Sequence, residues 1–320
     1  MTYRPLPAKL IYNPASGPYD IAHPQLTDIL MALQQLNIMA EVYILTPSSQ
    51  VKQVVENAIQ RGIQLIIAAG GDGTVDLVME GLVNTSTTLG IIPTGTQNNI
   101  ALSLGIPTGD LESCTALLRK GRRQKIDVGL VRCGEKKKYF LEAATLGLLS
   151  AIFPAADDIQ HGNLVRIGDF FDTLVNFPAG ELQINLEEEN QEIKTLAHMA
   201  LVSNMPFVGF HFQISEDIHF SDGYLDLFVY ANLTKLDLLG YAVQVSGGVP
   251  EDPRVLHYKI QQATLRANPV MPVLADGFTL GKADMFVQVI PKALTVFVGN
   301  LASERQRFNQ EQRPGTSING

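Results

Sequence analysis

Apolar and polar positions along the first 128 residues follow a rhythm that alternates between two periods. "AKLIYNP" (8–14) is an apolar run stopped by Asn-Pro and predicts a buried strand. In "HPQLTDILMALQQLN" (23–37), Leu26, Ile29, Leu30, Leu33 and Leu36 recur at helical spacing. "AEVYILTP" (40–47) alternates as a strand, and "SSQVKQVVENAIQRG" (48–62) is a helix that opens on serines and closes on Gly62. "IQLIIAA" (63–69) and "TLGIIP" (88–93) are strands, each followed by a helical pattern, "GTVDLVMEGLVN" (73–84) and "TQNNIALSLG" (96–105). Strands apolar on both faces and separated by helices predict a parallel sheet covered on both sides.

From about residue 129 the period shortens to two. "ELQINLEEENQEIKTLAHMALVSN" (181–204) is two alternating runs around an acidic tip, a hairpin signal. "GYLDLFVY", "LHYKIQQATLRA", "MPVLADGFTL", "MFVQVIP" and "ALTVFVG" follow as short strands, with helical pieces near 155–177 and 234–246. The expected fold class is therefore α/β plus all-β. A parallel α/β nucleotide domain occupies 1–128, an antiparallel β-sandwich 129–298, and a polar tail 299–320, with disorder expected from Ser303.

Composition narrows the function classes. The formal net charge is −8, with a pI near 5.3, which argues against a nucleic-acid partner. Two cysteines, Cys114 and Cys133, and six scattered histidines give no zinc pattern. The cysteines read as free thiols of a reducing compartment. The N-terminus lacks the layout of a signal peptide, and "YFLEAATLGLLSAIFPAA" is too short and too polar to span a bilayer. The expected location is cytoplasmic, with any membrane contact peripheral.

Three strand-end loops carry the candidate chemistry: "NPASG" (13–17), "GGDGT" (70–74) and "PTGTQNN" (93–99). In a parallel sheet they share one rim, and their small residues let backbone N–H groups approach an anion. Two of them lead into helices, whose N-termini favour phosphate. Three convergent loops suggest a polyphosphate such as ATP. There is no GxxxxGK[ST] and no GxGxxG. A carboxylate among phosphates repels them unless a cation lies between, so Asp72 implies Mg²⁺. The alternative is a βα turn in which Asp72 caps a helix.

At these residues the chain resembles the diacylglycerol kinase catalytic superfamily, soluble bacterial lipid kinases above all, with sphingosine kinases and the phosphofructokinase and NAD kinase group more distant. "GGDGT" followed by "LGIIPTGTQNNIALSLGIP" carries the resemblance, as does the order "RRQKIDVGLV", "YFLEAATLGL", "FSDGYLDLFVY" and "ADG". The resemblance implies an ATP- and Mg²⁺-dependent lipid kinase acting on a lipid hydroxyl, diacylglycerol first, in the cleft between the two domains. It places Asn13, Ser16, Gly70, Gly71, Gly73, Thr74, Gly95, Thr96 and Asp127 at the nucleotide. Asp72 would handle Mg²⁺–ATP, and a second Mg²⁺ would be held by the Asp222 carboxylate and the backbone oxygens of His219 and Tyr224. A plain Asp-Gly turn is the competing reading at 222.

Three positions depart from the family pattern. Asp76-Leu77 stands where many relatives carry Asn-Glu, with Glu80 a helical turn on, and Asn99 replaces an aspartate. Phe278 stands where the family's "DGE" supplies a glutamate base, which leaves Asp276, Asp76 or Glu80 as substitutes, with Asp276 taken as catalytic alongside Asp72. A catalytically impaired nucleotide- or lipid-binding relative, and a kinase of a soluble alcohol or of NAD, are the competing functions. The cations Arg119, Lys120, Arg122, Arg123 and Lys125 could meet anionic headgroups or ATP phosphates, or be the solvated end of a helix. Lys136 to Lys138 read as an exposed hairpin turn. "NMPFVGFHF" (204–212) and the stretch near 155–177 are candidates for an acyl entrance. The expected partner is a lipid substrate at a membrane surface; whether the chain forms a homo-oligomer is open.

Overall fold

The computed structural model describes residues 4–17, 25–160, 163–187, 191–209, 212–238 and 252–301. The chain divides into two compact units: residues 1–126 with those from 293 on, and residues 127–292. The last strand starts in the second unit and finishes in the first, a return that a linear division at 128 and 298 does not contain.

In the first unit, β1 (Leu6–Tyr12), β2 (Ile38–Ile44), β3 (Leu65–Gly70) and β4 (Thr88–Pro93) form a parallel sheet in the order β2-β1-β3-β4. The end of β17 (Met285–Val298) extends it beside β4, again parallel. Every residue of β3 and β4 is buried, which is why these strands read as unbroken apolar runs. The crossovers are α1 (Leu26–Gln35), α2 (Val51–Gln60), α3 (Asp72–Met79), α4 (Asn99–Ser103) and α5 (Leu111–Lys120). The chain leaves β1 for β2 on one side and resumes with β3 on the other, so the strand order reverses between β1 and β3. Open α/β sheets bind ligands outside the carboxyl ends of strands at such a reversal.

The second unit is antiparallel. β5 (Arg122–Cys133) enters it and pairs β6 (Lys136–Phe140); then come β7 (Ala143–Gly147), α6 (Leu148–Gln160), α7 (Ile167–Asn176), β8 (Gly180–Leu186) and β9 (Gln191–Ser203). β8 and β9 are the hairpin expected from the period-2 runs. Two two-residue strands, β10 (Phe207–Val208) and β11 (Phe212–Gln213), pair with each other. β12 (Leu225–Ala231), β13 (Val255–Ile260), β14 (Gln262–Asn268), β15 (Pro272–Ala275) and β16 (Phe278–Lys282) complete the unit. Thirteen-residue β9 pairs β8 along its first half, and β7 and β12 along its second. Side chains of β12 alternate between two clusters, Leu225, Leu227 and Val229 in one, Phe228 and Tyr230 in the other. The architecture is the expected parallel α/β unit followed by an antiparallel β-rich one.

Cys114 and Cys133 are free and buried, and burial pushes the Cys114 thiol up to about 12. No helix among the described residues is long and apolar enough to cross a membrane. Met205, Phe207 and Val208 are buried in the core, which removes them as an acyl wall; residues 210 and 211 of that stretch lie outside the described residues. So do most of the expected 234–246 helix and the tail from Ser303.

Candidate functional site

The three Gly-bearing loops meet on one rim of the first unit. Asn13 Nδ2 donates to Thr74 Oγ1 at 3.0 Å, and the hydroxyls of Ser16 and Thr94 lie 2.9 Å apart. The Asn13 amide donates to Ala69 O and the Thr94 amide to Gly70 O, so the first and third loops each hang on the end of β3. Gly71 and Gly95 are in backbone contact. A Cβ built on Gly95 would lie 2.3 Å from Gly71 Cα, inside non-bonded contact, and one built on Gly71 would lie 3.1 Å from Gly95 Cα, so the approach requires glycine at 95 and is tight at 71. Asn98, left-handed at φ 55°, closes the third loop: Oδ1 accepts from Gly95 N at 3.0 Å and Nδ2 donates to Gly95 O at 2.7 Å. No side chain caps α3 at Gly71, and Gly73 and Thr96 are exposed beside that helix start. An uncapped helix N-terminus at a strand-order reversal is a place for an anion.

Asp72 does not project into this space as a lone carboxylate. Its Oδ2 accepts from Asn99 N at 3.0 Å and its Oδ1 from Ile100 N at 2.9 Å. It therefore caps the first turn of α4, the helix of the neighbouring loop, and locks "GGDGT" to "PTGTQNN". Asp72 thus caps a helix, but not that of its own βα turn as the sequence reading has it: the amides are those of Asn99 and Ile100, 27 and 28 residues on. Asp76 is buried within α3, Leu77 is exposed, and Glu80 is half-buried.

Asp127 departs from the nucleotide role. It is fully buried in the second unit, where its carboxylate accepts from Gly223 N and Lys292 N, both at 2.7 Å. Burial raises its pKa against the pull of those two amides. It braces a turn and a strand, and no face of it is left for a ligand.

The expected second metal site also departs. Asp222 Oδ2 lies 2.5 Å from Lys259 Nζ, an ammonium where a divalent ion would stand, and Asp222 Oδ1 accepts from Tyr224 N at 3.1 Å. The Asp222 contact is the leading cause that raises the Lys259 pKa. Residues 221–223 form the turn of the competing reading, Gly223 has φ 83°, and His219 is exposed. Among the described residues no three His, Cys, Asp or Glu cluster as metal ligands. Among the described residues no protein-only cage for Mg²⁺ therefore surrounds Asp72 or Asp222; a Mg²⁺ that arrives on nucleotide phosphates would need only one carboxylate, and Asp72 is the one beside the loops.

Asp276 is the third displaced expectation. Its carboxylate accepts from three successive amides, Leu141 N at 2.6 Å, Glu142 N at 3.1 Å and Ala143 N at 2.9 Å. Burial pushes its pKa up to about 6, while the three amides and Lys138 pull it down. A carboxylate so engaged positions the 141–143 backbone instead of taking a proton from a substrate. Next to it Phe278 is 53% exposed, with Lys138 Nζ 5.4 Å from the ring centre. Lys138 is itself buried, so the "KKK" run is a strand with one inward member and not an exposed turn. Sequence reasoning missed Lys138, Asn98 and Lys259. Asn98 had a signal, an Asn three residues after Gly95 where a left-handed residue closes a turn.

The basic cluster lies elsewhere. Arg119 Nε donates to Leu36 O at 2.9 Å and its Nη2 to Asn37 O at 2.8 Å and to Arg4 O. These carbonyls precede β2 and β1, so Arg119 sits at the rim opposite the phosphate-type loops. Arg123 lies over the Phe297 ring at 5.3 Å. The ATP-phosphate reading of Arg119 is thereby excluded.

Residues 7–131 match the diacylglycerol kinase catalytic domain, and residues 162–298 match the YegS C-terminal NAD kinase beta sandwich-like domain. The chain is 26% identical over 276 residues to the diacylglycerol kinase of Bacillus subtilis, covering 84% of this chain and 89% of that protein. It is 25% identical over 302 residues to the diacylglycerol kinase of Staphylococcus saprophyticus, covering 92% and 95%. A crystal structure of a diacylglycerol kinase from Bacillus anthracis shares the fold, with TM-score 0.68 at 20% identity over 91% of this chain and 96% of that one. Yeast NADH kinase complexed with NADH shares it more loosely, with TM-score 0.54 at 10% identity over 99% of this chain and 91% of that one.

Proposed function

The chain belongs to the diacylglycerol kinase catalytic superfamily, and from that premise we propose that it is an ATP-dependent lipid kinase whose acceptor is a lipid hydroxyl, diacylglycerol first. The carrying observation is the Gly71–Gly95 contact, which presses two loops together beside an uncapped helix start. Phosphoryl transfer depends on positioning and charge stabilisation more than on covalent chemistry. In this reading the backbone of 71–73 and 95–96 receives the nucleotide phosphates, Asp72 and Asn98 hold the loops at a fixed spacing, and Asn13 with Ser16 ties in the third loop.

The position of the family glutamate holds Phe278, and Asp276, two residues before it, is bonded to three amides, so neither supplies a base. A positioned base contributes about 10²–10⁴-fold, so the reaction proceeds slowly without it. This same observation favours the second reading, a relative that binds nucleotide or lipid and turns over poorly. Labelled ATP incubated with diacylglycerol micelles, and separately with NAD and soluble alcohols, decides between them. The kinase reading expects labelled phosphatidate from the native chain and none from Gly95→Ala. It also expects at least a tenfold gain in Phe278→Glu, whose exposed carboxylate would lie beside the Lys138 ammonium. Nucleotide binding without labelled lipid in both the native chain and Phe278→Glu establishes the binding reading, and label in NADP overturns the lipid acceptor.

A further inference from the structure

Half-way along the second unit, exposed apolar side chains gather around one helix end. On α7, Ile167, Phe171 and Val175 stand four residues apart on one stripe, and Phe171 and Val175 are 57% and 65% exposed. Beyond the end of α7 lies a cavity of about 420 Å³, within the size range of ligand pockets. Its walls are Leu196, Leu233 and Leu236 with Ala179 and Ala197, and Leu196 and Leu236 are strongly exposed.

Stripe and cavity are joined by Lys235, which lines the cavity and donates from Nζ to Val175 O in the last turn of α7. An ammonium has three protons, so this bond leaves donors for a further acceptor. His198, also in the wall, is kept below the ordinary imidazole range by burial and by Lys235, so near neutral pH it adds no charge. Lys235 is then the sole charged side chain among the described residues that line the cavity. An apolar cavity, an apolar track leading from it and one cation at the junction are complementary to an apolar chain that ends in an anion.

The geometry points to a binding site for a single-chain anionic amphiphile, with the carboxylate or phosphate head on Lys235 and the chain along Leu196, Leu233 and Leu236. This site shares no residue with the nucleotide loops and stands whether or not the kinase reading does. Free acids and monoacyl phosphates share the chemistry, so both belong in the test.

Calorimetric titration of the full chain with decanoate, decyl phosphate and decanol, each below its micellar concentration, reads the site directly. Saturable binding of at least one of the two anions is expected, weakening roughly fourfold for each CH₂ removed from the chain. Lys235→Gln should weaken that anion roughly tenfold or more and leave decanol unchanged. Leu196→Asp, at an exposed position, should weaken every chain-bearing ligand. The anion with the larger Lys235-dependent loss identifies the head. Absence of saturable anion binding overturns the site, as does binding indifferent to Lys235→Gln or to chain length. Unchanged thermal unfolding of Lys235→Gln excludes misfolding as the cause of any loss.

Discussion

At the rim of the first unit, two glycines bring loop backbones together and polar side chains tie the loops, leaving Gly73 and Thr96 exposed at a helix start. In the second unit the amides of 141–143, 223 and 292 are instead taken up by the carboxylates of Asp276 and Asp127. In the proposed reading the first arrangement presents N–H groups to a visiting anion, whereas the second supplies the anion from within the chain. Asp72 belongs with the second kind although it lies in the first unit, since both of its oxygens cap α4. An acidic residue inside a motif is therefore as ready a brace for backbone as it is a ligand for metal.

The sharpest way to break this contrast is Gly95→Ala, which forces a Cβ into Gly71 and separates the loops. Calorimetry should show nucleotide affinity falling by about two orders of magnitude or more, the effect a displaced phosphate cradle carries. Next comes Asp276→Ala, which strands three amides and should cost about 3 kcal/mol in urea unfolding. Asp276→Asn should cost less and also remove a pH dependence. The folded carboxyl, at about 6, binds its proton more tightly than the ordinary value of 3.8. Its contribution to stability is therefore largest below pH 3.8 and declines as pH rises through 6. That decline should be absent in Asp276→Asn.

A smaller effect is expected from Asp72→Ala, about 1 kcal/mol of stability as a lost helix cap, with the Mg²⁺ dependence of nucleotide binding unchanged. A shifted Mg²⁺ requirement would return Asp72 to the metal. Smallest is Lys259→Met, which breaks a partly exposed ion pair and should cost under about 1 kcal/mol. Thermal scans with and without Mg²⁺ should then show no added stabilisation by the ion at the vacated Asp222.

Much of this molecule was legible before its structure. The 3.6 and 2.0 periods located the helices of the first unit and the β8–β9 hairpin, because each depends on burial of one face by residues near in sequence. Convergence of 13–17, 70–74 and 93–99 followed from parallel topology alone. Asp72, Asp127 and Asp276 were legible as unusual letters but not in their duties, since their partners lie 27 to 165 residues away, whereas the Asp222 turn, bonded to Tyr224 two residues on, was among the readings. No periodicity reports which amide a carboxylate will meet across that distance. Arg119 belongs to the same class, spending its guanidinium on carbonyls up to 115 residues distant. Lys138 was hidden by its company, an inward-facing lysine in a run of three.

The final strand holds one more consequence. Residues 295–296 pair with β4, so the sheet that carries the phosphate-type loops gains its outer member from the end of the chain. During synthesis from the N-terminus, the β4 edge emerges just over two hundred residues before its partner and waits uncovered while the whole second unit is made. A fragment that stops near residue 131 would keep every candidate nucleotide contact of the first unit yet present that edge to its neighbours. Self-association of such a fragment, cured by adding back the missing strand as a peptide, would show that the order of emergence from the ribosome shapes how this fold is assembled.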